Sequence, residues 1–254
     1  MKRTTTLMTL HIHYSDNTDI YEIGVDEAGR GPLFGRVYAA AVILPKTIEE
    51  ENTFDFTNMK DSKKFTSKKK IKEVAEYIKS NSLSWGVAFE SEKAIDKMNI
   101  LQATQSAMHN AIKECLAKIQ TQKKELLGGG NCHLLVDGNY FNSFIGFDKK
   151  TSQITSVPHT CVKGGDATYA CIAAASILAK VARDEYIDEI CDENPWLDEI
   201  YGIRSNKGYG AKKHMTAVRE KGRSKWHRFS FAPCKTAQMI SEININKQEE
   251  NKEE

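Results

Sequence analysis

Four carboxylates stand where an apolar run gives out. Asp26 and Glu27 follow Ile20 to Val25, Asp137 follows His133 to Val136, and Asp166 follows Gly164-Gly165 and precedes a run of small residues. Singly, each has an ordinary reading: Asp137-Gly138 is a hairpin-turn signal, Asp166 suits a helix cap or its approach, and Asp26-Glu27 suits a solvated strand end. Brought together, the four would crowd negative charge into one spot, which is costly unless they share protons or bind a cation. Oxygen-only ligands point to magnesium or manganese rather than zinc. Two such ions would suit in-line phosphoryl displacement, one activating water and the other stabilising the leaving oxygen. Neighbouring strand residues face opposite ways, so Asp26 and Glu27 are expected to share a site only where the strand loses regularity, a release that Gly29 and Gly31 supply.

Other chemistry-bearing residues carry weaker signals. Lys63 and Lys64 suit a phosphate backbone, whereas Lys68-Lys69-Lys70 reads as a solvated helix face. Lys180 and Arg183 share a helix face, where packing or an ion pair with Asp184 or Glu185 is the plain alternative. His214 and His227 read as structural groups, since nothing pairs them with a nucleophile. Trp85, Trp196 and Trp226 read as core or anchor residues, and Met98 and Met108 as core filler. Nucleotide hydrolysis is not supported, because no GxxxxGK[ST] loop is present.

The elements that must position these residues follow from periodicity. Strands are predicted over Ile20 to Val25, Val37 to Leu44 and Ser84 to Glu90, the last with Trp85, Val87 and Phe89 on one face, and the three suit an antiparallel meander. A short basic helix is predicted over Ser67 to Lys79. Met108, Ala111, Ile112, Cys115, Leu116 and Ile119 recur at three and four, predicting a helix from Ala103 to Ile119, after which Gly128-Gly129-Gly130 releases the chain. His133 to Val136 reads as a strand covered on both faces. One further strand is predicted over Ile154 to Val162, and a helix from Ala170 to Ile190, whose Ala173-Ala174-Ala175-Ser176 stretch allows close approach to a sheet. The remainder to Pro233 reads as helix and loop. The fold class is therefore α/β, a mixed central sheet flanked by helices, with a C-terminal helical extension.

The 254 residues, 40% hydrophobic and 28% charged, suit one main domain of an ordinary globule, and no apolar run is long enough to span a membrane. Lysine and arginine number 36 against 34 acids, a net +2. Basic residues gather at Lys60 to Lys72 and Arg204 to Arg228 while Gln248 to Glu254 is acidic, suggesting a localised basic surface. The six cysteines are scattered with no CxxC pair, which suggests reduced thiols; Met1 to Tyr14 lacks the core of a signal peptide, so a cytoplasmic location is expected. Residues 1–19 are expected to form a loose leader, 20–235 the working domain with its helical part at about 185–235, and 236–254 a polar acidic tail.

Five blocks in order resemble the ribonuclease HII family: Gly24-Val25-Asp26-Glu27-Ala28-Gly29-Arg30-Gly31-Pro32; Asp61-Ser62-Lys63-Lys64; Val136-Asp137-Gly138-Asn139; Lys163-Gly164-Gly165-Asp166, followed by Ala174 to Asp184; and Lys207-Gly208-Tyr209-Gly210 with His227-Arg228 downstream. The likeness runs from about residue 20 to about 235. It implies a ribonuclease H-like fold, a metal site of Asp26, Glu27, Asp137 and Asp166 holding two Mg2+ or Mn2+ ions, and recognition of a 2′-hydroxyl by the Gly29-Arg30-Gly31 backbone and Tyr209. A 2′-hydroxyl is what distinguishes RNA from DNA, and glycines let main-chain groups approach a sugar. The implied activity is metal-dependent endonucleolytic cutting of RNA in RNA–DNA hybrids and 5′ of ribonucleotides embedded in duplex DNA, by a monomer; Lys63 is expected to hold phosphate. A catalytically silent hybrid binder and a related two-metal nuclease acting on DNA are the competing readings. One departure is Lys-Gly-Gly-Asp where the family has Lys-Gly-Asp, with the ligand placed at Asp166 by its spacing to Ser176. The Asp61-Ser62-Lys63-Lys64 block is of bacterial type, and no sliding-clamp ending is present.

Overall fold

The first strand, β1 (Tyr21–Ala28), is the one about which the rest is arranged. In the computed structural model, which describes residues 10–46, 54–59, 62–122, 131–148 and 152–240, it pairs antiparallel with β2 (Val37–Ile43), and β2 with β3 (Ser84–Glu90). On its other side β1 pairs parallel with β4 (Cys132–Asp137), and β4 with β7 (His159–Val162), giving the order β3-β2-β1-β4-β7. Asp61, the triple glycine 128–130, the first nine residues and the tail from 241 lie outside the described residues.

Both faces of the sheet are covered, and alternation along the strands sorts the side chains. Ile23 and Val25 of β1, with Ala39, Ala41 and Ile43 of β2, meet helix α3 (Ile100–Gln122) through Ala107, Ala111, Ile112 and Cys115. Ala40 and Val42 on the opposite face meet helix α4 (Ala170–Glu193) and, outside it, helix α1 (Lys68–Asn81). Every residue of β2 is buried as a result. Ser67 caps α1, its Oγ accepting from the Lys70 N–H at 3.2 Å. A separate short helix α2 (Glu92–Met98) precedes α3, and the break between them falls at Asn99, whose φ of +71° no helix accommodates.

The small side chains of α4 lie where helix and strand touch most closely. A Cβ on Gly24 would stand 2.2 Å from the Cys171 carbonyl carbon. Two strand residues advance about 6.6 Å and four helical residues about 6 Å, so Gly24 beside Cys171–Ile172 puts Asp26 beside Ser176. The helix that covers the sheet thereby sets the surroundings of Asp26.

Three expectations are corrected. The predicted strand from Ile154 to Val162 is two strands in two sheets. β6 (Gln153–Ser156) forms a hairpin with β5 (Ile145–Asp148), while β7 joins the main sheet. Between them Pro158, with no N–H, uses only its carbonyl, which accepts from Leu134. Second, β1 runs on through Asp26, Glu27 and Ala28, still paired with β2, before the glycines are reached. Third, residues 10–19 of the expected leader are fastened. His11 bridges Tyr169, and the Tyr14 and Ser15 N–H groups donate to the Glu22 carboxylate at 2.8 and 2.9 Å. Glu22 is buried against Lys46 at 2.6 Å, and a buried carboxylate needs every donor it can find.

The C-terminal part comprises α5 (Trp196–Tyr201), α6 (Ile203–Asn206) and α7 (Lys212–Lys221). It closes a third core around Phe34, Tyr186, Ile187, Leu197 and Tyr201. Among the described residues no helix is long and apolar enough to cross a membrane.

Candidate active site

Parallel strands β1 and β4 end side by side, and a ligand site is expected at such carboxyl ends. Their pairing stops at Val25–Val136, so beyond it Asp26, Glu27 and Ala28 are bonded to β2 alone and their other edge opens on a cleft. This, and not a loss of regularity in β1, lets adjacent residues of opposite face share one opening. The cleft measures about 400 Å³. Asp26, Glu27 and Asp137 form its acidic part, the Gly29–Gly31 turn and Tyr209 another wall, and Lys63, Lys180, Arg183 and Lys207 its basic rim, into which Asp184 is set beside Lys180.

Asp26 is 5% exposed. Burial drives its carboxyl well above the usual carboxylate range, the charges of Glu27 and Asp137 push the same way, and bonds from Ser176 and from the Glu27 N–H at 2.7 Å oppose them. Ser176 is itself held by Ser62, Oγ to Oγ 3.0 Å. Burial also raises Glu27, with Asp137 adding to the rise, while Arg30 at 3.2 Å counters it. Asp137 Oδ1 accepts from the Gly165 N–H at 2.6 Å.

Asp166 occupies a 3-10 turn, Gly165–Ala167, and is 7% exposed. It does not line the cleft directly but stands behind it, 3.7 Å from the Lys63 ammonium. The unusual Gly164-Gly165 pair is used at both positions. Gly164 takes a left-handed φ of +64°, and a Cβ on Gly165 would collide with Ile172 at 2.5 Å. The turn thus brings the 165 N–H onto Asp137 and carries Asp166 inward.

As they stand, no three His, Cys, Asp or Glu among the described residues converge tightly enough to hold an ion. Glu27 turns to Arg30, Asp137 to the Gly165 N–H and Asp166 to Lys63, each carboxylate meeting a positive or donor group. The chemistry of the set nevertheless fits a hard divalent cation: all donors are oxygens, and the buried charges repel one another without one.

The Gly29–Gly31 turn is built from behind. Gly29 has φ of +92°, and a Cβ there would meet Arg183 Nε at 2.4 Å. Tyr209 is half exposed, its ring edge 3.4 Å from the position a Gly31 Cβ would take. Its carbonyl bonds His214 Nδ1 at 2.9 Å, and His214 Nε2 lies 2.9 Å from His227 Nε2. A carbonyl only accepts, so His214 carries its proton on Nδ1. The Ser224 N–H only donates, at 2.9 Å to His227 Nδ1, so His227 carries its proton on Nε2 and gives it to His214. Both rings are therefore neutral, and burial holds both below the ordinary imidazole range.

Sequence reasoning named Asp26, Glu27, Asp137, Asp166, Gly29, Arg30, Gly31, Lys63 and Tyr209; eight of these line the cleft and Asp166 adjoins it. It left Lys180 and Arg183 open to an ion-pair reading, and both do reach Asp184, at 3.0 and 3.8 Å, while also lining the cleft. Ser62, Asn206 and Lys207 were missed as wall residues, although Ser62 and Lys207 sit in motif blocks already noted.

A model of the family described as Ribonuclease HII matches residues 23–234. Over 215 residues the chain is 41% identical to ribonuclease HII of Bacteroides thetaiotaomicron, covering 85% of this chain and 91% of that protein. Among solved structures, ribonuclease H2 from Pyrococcus horikoshii OT3 superposes with a TM-score of 0.58 at 20% identity, covering 90% of this chain and 100% of that one. Bst-RNase HIII in complex with Mn2+ gives 0.56 at 19% identity, covering 91% and 71%. At these identities the two structures speak for the fold alone, and it is the ribonuclease H-like fold expected from the motifs.

Proposed function

The chain belongs to the ribonuclease HII family, and from that premise we propose that it is a metal-dependent endoribonuclease. It hydrolyses the RNA strand of RNA–DNA hybrids and nicks 5′ of ribonucleotides embedded in duplex DNA, leaving 5′-phosphate and 3′-hydroxyl ends. The observation that carries the reading is the union, in one cleft, of the acidic group Asp26, Glu27 and Asp137 with the Gly29–Gly31 turn and Tyr209. Acids alone would suit many phosphodiesterases; acids beside a glycine turn and an exposed ring suit one that reads a sugar.

Asp26, Glu27, Asp137 and Asp166 would hold two divalent ions, Mg2+ or Mn2+, with Glu27 and Asp166 exchanging Arg30 and Lys63 for the cations. Bound there, the pair supplies an activated water and charge stabilisation on the leaving oxygen. The chain's own residues do the rest. Ser176, fixed by Ser62, orients the Asp26 carboxylate. Arg30 and Lys63, released from their carboxylates, neutralise phosphate along the rim together with Lys180 and Lys207. Main-chain groups of the Gly29–Gly31 turn bond the 2′-hydroxyl, and the Tyr209 ring packs on the sugar that follows. Asp26 and Gly29 are three residues apart, a reach of about 10 Å. Reader and acids therefore move as one strand-and-turn unit, and a recognised ribose fixes which phosphate meets the carboxylates.

The test is cleavage of a labelled DNA duplex carrying one ribonucleotide, with magnesium, with manganese and with a chelator, comparing the native chain with Asp137→Asn. Nicking on the 5′ side that needs metal and disappears with the substitution is expected. Cutting of the all-DNA duplex would transfer the reading to a DNA nuclease, and tight hybrid binding without cleavage under either metal would transfer it to a silent binder.

A further inference from the structure

Arg228 heads the fully buried side chains by size, at 0% exposure. A buried guanidinium ordinarily faces a carboxylate, yet its five bonds are all to main-chain carbonyls. Nε donates to Gly35 at 2.9 Å, Nη1 to Arg30 at 2.9 Å and Pro32 at 2.8 Å, and Nη2 to Gly29 at 2.6 Å and Arg36 at 3.1 Å. A guanidinium has five N–H donors, so every one is used. All five acceptors belong to the turn between β1 and β2, which contains the Gly29-Arg30-Gly31 segment. Burial brings the Arg228 pKa down to about 9, with the Arg183 charge acting in the same sense. The protein thus bears a desolvation cost to keep this group in this place.

Peptide planarity says what the arrangement does. In a trans peptide the carbonyl of one residue and the N–H of the next point in opposite directions. Drawing the Gly29 and Arg30 carbonyls inward turns the Arg30 and Gly31 N–H groups outward, toward the cleft those residues line. The same rule at the next carbonyl, Pro32, sends the Leu33 N–H away from Arg228, and it is indeed bonded to Gly208 at 2.8 Å, next to Tyr209. Among the described residues no group accepts from the Arg30 or Gly31 N–H. Arg228 is in turn fixed along its backbone. Its N–H donates to Leu33, Trp226 accepts from Gly35, and His227 beside it closes the imidazole pair that ends on the Tyr209 carbonyl.

We propose that Arg228 is the positioning residue of the ribonucleotide reader: by gathering the carbonyls of residues 29–36 behind the turn it aims the Arg30 and Gly31 N–H groups into the cleft as donors to a sugar hydroxyl oxygen. The inference rests on the function proposed above. Arg228 itself touches no substrate, since the turn lies between it and the cleft.

The experiment measures equilibrium binding, in chelator, of a labelled DNA duplex with one ribonucleotide against the same duplex in all-DNA form, for the native chain, Arg228→Lys and Arg228→Ala. Lysine keeps the charge but offers three donors from a point instead of five in a plane. The expected result is an about tenfold loss of preference for the ribonucleotide in Arg228→Lys, the equivalent of one or two hydrogen bonds, with all-DNA affinity unchanged. In Arg228→Ala the preference is lost as well and is restored by added guanidinium ion, not by ammonium. A native chain with no preference would sink the functional reading itself. A native preference that survives in both folded variants, or that guanidinium fails to restore in a cooperatively melting Arg228→Ala, would overturn the assignment. Loss of cooperative melting in both variants would overturn it too, making Arg228 a group that holds the whole fold.

Discussion

Gly24→Ala isolates the contact on which the site's geometry depends. The new Cβ would stand 2.2 Å from the Cys171 carbonyl carbon, 2.3 Å from its oxygen and 2.5 Å from the Ile172 nitrogen. These are backbone atoms inside a helix of 24 residues, with no rotamer to move, so α4 has to recede by at least about 1.2 Å to restore ordinary contact. Overpacking of this kind costs about 1–3 kcal/mol, and a rigid obstacle belongs at the upper end. The stiffer unfolded chain returns at most about 1 kcal/mol. A net loss of about 2 kcal/mol lowers Tm by roughly 4–8 °C in a domain of this size. The same recession parts Ser176 from Asp26, so cleavage per folded molecule falls as well. Thermal melts followed by circular dichroism check the first effect and single-ribonucleotide cleavage the second. Gly146→Ala, whose Cβ would meet only Val157 Cγ2 at 3.9 Å, is the control. A Tm in Gly24→Ala equal to or above the native value would refute the close-approach argument.

Asp26→Asn removes a charge whose burial is unfavourable while keeping a side chain that can bond Ser176. In chelator at neutral pH its Tm is expected to rise, while cleavage with magnesium falls by about 100-fold or more; a fall in Tm would show that the carboxylate is not under strain. The His214–His227 pair predicts acid sensitivity. Both folded values lie below the ordinary 6.5, so as pH falls through that point the unfolded chain takes up protons first, and stability that is fully present above it is lost below it. The slope approaches about 1.4 kcal/mol per pH unit for each ring, and melts between neutral pH and about pH 5.5 would show it as a falling Tm; a flat Tm over that window would contradict the neutral pairing.

How much of this was legible depends on which physical signal each element emits. Strands covered on both faces emit an apolar run whatever their partners, which is why β1, β2 and β4 were found within a few residues. The face pattern of α3 was equally direct. Partner identity is not in the run. Ile154 to Val162 reads as continuous, yet Ile154 is 74% exposed on a hairpin while His159 pairs with Leu134 in the main sheet, and only Pro158 hints at the division. The end of β1 was misjudged for a related reason. Its regularity is kept by β2, while the opening depends on where β4 stops, which is a fact about a strand more than a hundred residues away.

The site divides in the same manner. Its acids were legible because carboxylates at the ends of apolar runs conflict with their surroundings, whereas the role of the glycine turn was implied only by the resemblance of its residues to the family's motif. What holds these groups in place was not legible, because it makes no local conflict. Ser176 lies in a run of small helix residues, and only the commensurate advance of strand and helix puts it opposite Asp26. Arg228 falls in a basic stretch that reads as surface, and its burial follows from carbonyls nearly two hundred residues earlier in the chain. A main-chain carbonyl is present at every residue and so leaves no mark in the sequence. Side chains whose partners are backbone atoms are for that reason the part of a site whose role composition and motif do not disclose, even where, as with Arg228, a motif includes the residue, and in this chain they are the part that gives the Gly29-Arg30-Gly31 turn its direction.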